Sequence, residues 1–130
     1  MKDSSHSIPG DNADSPATDA TALDRLKRFG GGKLLGEMIS LFLSTAPERM
    51  GAARAGLEAR DANATEMALH SLKSSSAQLG ALRMQRLCEQ GEKLAHDGVI
   101  DAVAVLVQEL ETEFPRVQRW LERARASEVA

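Results

Sequence analysis

The sequence predicts an all-α fold, an antiparallel up-and-down four-helix bundle with a short additional N-terminal helix. Three observations carry this reading. Apolar residues recur at intervals of three and four over most of the chain, no strand-like alternation is bounded by hairpin turns, and the breaks between periodic segments are short. Short connections between long helices fold each one back on its predecessor.

Residues 1–18 are rich in Ser, Asp, Pro and Gly and lack an apolar period, so they are read as a flexible tail or linker ahead of a bundle over 19–126. Asp19 or Thr21 caps a short helix through Ala22, Leu23, Leu26 and Phe29, which Gly30, Gly31 and Gly32 end. A long helix follows from about Gly32 to about Arg60, with Leu35, Ile39, Phe42, Ala46, Met50, Ala53 and Leu57 on one face. Pro47 removes a helical N–H and crowds the carbonyl four residues back, which predicts a kink, or two helices meeting, near Leu43 to Pro47. Asp61 or Asn63 caps the next helix, Ala64 to Leu79, ended by Gly80. A further helix from about Leu82 to His96 carries Met84, Leu87, Cys88, Gly91, Leu94 and Ala95 inward. The last runs from Val99 to about Arg125, with Pro115 predicting a bend.

Composition narrows the function. With 16 basic and 19 acidic side chains the formal charge is −3, and only four aromatic residues occur, so the basic stripe and stacking platform of nucleic-acid binders are missing. No apolar run has the length of a membrane span and no signal-like segment opens the chain, so the expectation is a cytoplasmic protein. The single cysteine, Cys88, lies on an apolar face, lacks metal-ligand spacing and reads as a core residue; no metal site is expected. Phosphate loops, dinucleotide turns, nucleophile elbows and zinc-protease motifs are all missing, which argues against an autonomous enzyme.

The informative helix is Ala64 to Leu79. On a wheel of about 100° per residue, Ala68, Leu69, Leu72, Ser76 and Leu79 gather toward the core, while His70 points outward with Lys73, Ser74 and Ala77 beside it. Residues equally far from the tip of an antiparallel hairpin lie at one height, and the midpoint of 70 and 92 falls in the turn at Ala81, so Glu92 sits level with His70. A carboxylate there can accept the Nδ1 proton and leave the Nε2 lone pair facing solvent. An exposed neutral imidazole beside a lysine suits attack on a phosphoryl group, with the lysine offsetting the phosphoryl charge. Neither residue binds nucleotide or magnesium, so both would come from a partner.

The run His70-Ser71-Leu72-Lys73-Ser74-Ser75-Ser76-Ala77-Gln78-Leu79-Gly80-Ala81, followed by Leu87-Cys88-Glu89, resembles the signature of histidine-containing phosphotransfer (HPt) domains, and the similarity extends from about Leu23 to Leu121. The resemblance implies that His70 accepts a phosphoryl group from a receiver aspartate of a response regulator and passes it to another, in a two-component phosphorelay. It implies that Lys73 stabilises the phosphoryl group and that the residue at 92 orients the ring. Here that residue is Glu92, where several members have glutamine, and Ser74 stands where glycine is usual. No intrinsic cofactor is implied; Mg2+ is expected on the partner receiver. The implied partners are response-regulator receiver domains and a sensor or hybrid histidine kinase, of which this chain could be the detached phosphotransfer domain.

The expected docking surface comprises Met67, Ser74 and Ala77 around His70, with contributions from the short first helix, on a monomer that must meet two partners in turn. Arg25, Lys27, Arg28 and Lys33 lie at the end of the bundle that could face an acidic receiver. His96 is explained by its place in the last turn of a helix. The rival reading is a non-catalytic helical adaptor or dimerisation module.

Overall fold

A computed structural model describes residues 15–129. The four helices are α1 (Ala20–Glu58), α2 (Ala62–Gln78), α3 (Leu82–His96) and α4 (Ile100–Val129), with no strand among the described residues. Each helix packs on its neighbour in sequence, and α1 also packs on α4, which closes the bundle. Ile39, Phe42, Leu69, Leu72, Met84 and Leu87 are buried as the spacing predicts, and α4 adds Val103, Leu110 and Leu121; Val99, expected to open the last helix with its side chain inward, lies just before α4 and is exposed. Cys88 is fully buried in the core, and burial pushes its thiol far up from the ordinary value, so it is a packing residue and not a thiolate.

The expected short first helix is the N-terminal arm of α1. Gly30 and Gly31 alone within α1 have non-helical dihedrals, and Gly31 has φ 75°, a left-handed conformation open to glycine without strain. This break lets 20–29 lean away from the axis of 32–58. Of the two outcomes expected at Pro47, the meeting of two helices does not occur: one helix continues through it. Phe42, Ala46 and Met50 are buried on one face while Pro47 is exposed on the other, and the helix runs through the proline with helical dihedrals. Likewise α4 runs on through Pro115 and extends beyond Arg125 to Val129.

Asp19, not Thr21, caps α1, accepting from the Thr21 amide at 3.0 Å. Asp61, not Asn63, caps α2 by accepting from the Ala64 amide at 3.0 Å. The start of the bundle is anchored earlier than the sequence suggests. Pro16 and Ala17, expected in the tail, are tied to α3: the Arg83 amide donates to the Ala17 carbonyl at 3.1 Å and the Arg86 guanidinium to that of Pro16. The Asp19 amide also donates to Gly80 O at 2.8 Å, and Gly80 has φ 75° with Asp19 and Ala22 where a Cβ would lie. Only glycine fits there. This contact seats the arm of α1 against the α2–α3 turn. Residues 1–14 of the expected tail lie outside the described residues.

Candidate functional site

The site forms where α2 and α3 run side by side. The Asp61 cap and Gly80 turn set the two ends of α2, and the buried Ala68, Leu69, Leu72 and Ser76 fix its rotation. His70 consequently faces out, its side chain 61% exposed. Across the groove, Gly91 offers no side chain and lets α3 approach Leu69; a Cβ there would stand 2.9 Å from a Leu69 methyl. That approach brings the next residue, Glu92, within reach of α2.

Glu92 bridges two residues of α2. Its Oε2 lies 2.6 Å from His70 Nδ1 and its Oε1 2.8 Å from Lys73 Nζ. At 18% exposure the carboxylate is largely removed from water, while the imidazole it holds is not. Burial by itself pushes the Glu92 carboxyl up, but the bonds from Lys73 and His70, reinforced by the lysine charge, outweigh it and hold the group below its ordinary value. Lys73 is held above its own ordinary value, chiefly by the bond to Glu92 and against the pull of burial. Glu92 is therefore an anion and Lys73 a cation near neutral pH.

An anionic Glu92 can only accept, so Nδ1 carries the proton and donates it to the carboxylate, and Nε2 bears the free lone pair. The arrangement therefore presents one nucleophilic nitrogen at the surface, with a cation one helical turn away.

Met67 is exposed one turn before His70, and Ser74 is exposed one turn after it, with only a long 3.4 Å bond to the His70 carbonyl. Ala77 is half-buried one turn further, at the mouth of an open cleft lined by Ala22, Leu26, Phe29, Arg25, Arg28 and Gln78. Phe29 is 88% exposed at its edge. Lys73 departs from the expected open patch: it is half-buried and turned to Glu92. The sequence alone did not suggest that pair, although the hairpin arithmetic held its signal, because 73 lies one turn from the residue already placed opposite 92. His96 sits in the last turn of α3 as expected, and its Nδ1 also lies 3.2 Å from Glu66. No group of three or more His, Cys, Asp or Glu residues that could hold a metal occurs among the described residues. No helix among them is long and apolar enough to cross a membrane.

Comparison with known proteins settles the class. The Hpt domain family matches residues 37–126 of the chain, which span the greater part of α1, all of α2 and α3, and α4 almost to its end. The fold is similar to the crystal structure of histidine-containing phosphotransfer protein B (HptB) from Pseudomonas aeruginosa PAO1. That likeness has a TM-score of 0.82 and 26% sequence identity, and covers 87% of this chain and 97% of the other. No curated protein matches. The chain belongs to the Hpt domain family and has the histidine phosphotransfer function of phosphorelays. Members of the family are phosphocarriers that interact with response-regulator receivers and histidine kinases.

Proposed function

We propose that His70 is the phosphoacceptor of this module, that Lys73 stabilises the phosphoryl group and that Glu92 orients the ring. The observation that carries this reading is the pairing of an exposed imidazole with a largely buried carboxylate on Nδ1. In the forward step the Nε2 lone pair forms a bond to the phosphorus of a receiver aspartyl phosphate, and the P–O bond to the aspartate breaks with its electrons leaving on the carboxylate. Passing the group on reverses this toward a second receiver. Mg2+ belongs to the receiver, where it offsets charge on the phosphoryl oxygens. Lys73 turns from Glu92 toward those oxygens as they arrive.

The docking surface runs along α2 from Met67 past Ser74 and Ala77 into the cleft beneath Phe29. Its cationic rim, Arg25 and Arg28, complements the acidic pocket that a receiver needs for Mg2+. Ser74 adds only a hydroxyl where approach must be close. The module acts as a monomer, since one face serves both partners in turn. The same chemistry holds whether it stands alone or is carried by a hybrid sensor histidine kinase. A helical adaptor without chemistry has no use for a nucleophile held in one tautomer.

The test is incubation with a receiver carrying radiolabelled phosphate. Acid-labile, alkali-stable label on the wild type and none on a folded His70→Gln variant is expected. Equal labelling of the two proteins would remove His70 from the role, and no labelling of either across a broad receiver panel would favour the adaptor.

A further inference from the structure

Resting on the assignment of His70 as the phosphoacceptor, we propose that the charge of Glu92, and not merely its hydrogen bond, keeps the Nδ1 proton on the phosphorylated ring and so makes the phosphohistidine a good donor. The proton count leads to this. When Nε2 takes a phosphoryl group its lone pair is used, and a ring that keeps Nδ1–H becomes a cation. On donation the acceptor carboxylate forms a P–O bond, the Nε2–P bond breaks, and its electron pair returns to Nε2. The leaving group is then neutral imidazole. Had Nδ1 lost its proton to solvent, the same step would expel an imidazolate anion, a far poorer leaving group.

The geometry supplies what this proton needs. Glu92 Oε2 already holds Nδ1 at 2.6 Å, and Oε1 already holds Lys73 at 2.8 Å. With a phosphoryl dianion on Nε2 the four charges sort into two pairs, Lys73 with the phosphoryl oxygens and Glu92 with the ring. The carboxylate is then released from the lysine when the ring cation appears. Partial burial strengthens both pairs over their value in open water.

Other charged groups surround the site. On α2 these are Lys73 and Glu66, on α3 Glu89, Lys93 and His96, and on the flanking face of α1 Glu48 and Arg49, which line the cleft beside Met67 and Ser71. Glu66 is engaged by His96 and Glu89 acts on Lys73, which leaves Glu92 as the anion bonded to the ring. A glutamine at 92 would keep an acceptor for Nδ1–H while removing the charge.

The experiment loads 15N-labelled wild type, Glu92→Gln and Glu92→Asp with phosphoramidate, which needs no receiver, and follows the ring nitrogens of phosphorylated His70 by NMR against pH. His70→Gln assigns the signals. The Gln variant is expected to give up its Nδ1 proton about 1 to 2 pH units before the wild type, the scale of one nearby opposite charge, with Asp restoring part of the difference. Donation to a receiver by the Gln variant then falls about tenfold per pH unit above that point while the wild type holds its rate. Superimposable ring titrations in wild type and Glu92→Gln would overturn the inference. A ring that stays protonated in the wild type alone while no receiver takes the group would support it and remove the phosphorelay reading instead.

Discussion

Two faces of this bundle each join a cation or imidazole to carboxylates across a helix pair, and they differ in what is left unspent. Between α3 and α4, Arg83 donates to Glu113 at 3.2 Å and lies 3.4 Å from Glu109, with Glu113 only 2% exposed. Its charges are answered within the protein. Between α2 and α3, Glu92 answers Lys73 and one nitrogen of His70, and the other nitrogen faces solvent. A charge cluster closed on itself fastens helices; one that ends in an exposed lone pair is available for chemistry. Charge content does not separate the two faces, but the accessibility of the last atom does.

The sharpest way to break this comparison is to remove the exposed nitrogen. His70→Gln should abolish phosphoryl transfer while leaving the helical circular dichroism and unfolding midpoint near wild type, since the side chain packs against little. Removing the lysine should be next in size. Lys73→Ala is expected to slow transfer by about ten- to a hundredfold, the scale of one charge-assisted hydrogen bond made in the transition state.

The closed cluster should respond the other way. Glu113→Ala takes from half-buried Arg83 one of its carboxylate partners and should cost about 2 to 3 kcal/mol in chemical denaturation, with transfer per folded molecule unchanged. A stable Glu113→Ala protein with impaired transfer would erase the distinction between the faces.

Acid separates the faces more gently. Glu92 is held below its ordinary value in the folded protein, so it binds its proton more weakly there than when unfolded. Its contribution to stability is full above the unfolded carboxylate value of about 4.3 and is lost as pH falls through the lower folded one. Glu92→Gln should therefore flatten the acid limb of the stability curve below about pH 4.5, read by thermal melts. The smallest effect is expected on the core face of α2, where the buried Ser76 hydroxyl has no hydrogen-bond partner among the described residues. Ser76→Ala should raise stability by about 1 kcal/mol, since it removes an unsatisfied polar group, and leave transfer intact.

Much of this was legible in the chain. The core of α2 follows from the spacing of Ala68, Leu69, Leu72, Ser76 and Leu79, and the level of Glu92 from hairpin symmetry about Ala81, because both are consequences of helix geometry alone. Pro47 left two outcomes open because a proline's local cost bears on local structure alone; one helix continues through it, with the faces of its neighbours buried. Pro16 and Ala17 were invisible for a related reason: nothing in a short polar stretch records that carbonyls will meet Arg83 and Arg86. The Lys73–Glu92 pair needed a side-chain direction, which periodicity places only to within a turn.

The most direct test of the central claim is nitrogen–phosphorus coupling measured by NMR on 15N-labelled protein after loading from a phosphorylated receiver. One coupled nitrogen is expected, Nε2 of His70, with the proton retained on Nδ1. Coupling at Nδ1 of His70, or phosphate carried by any other residue, would contradict it.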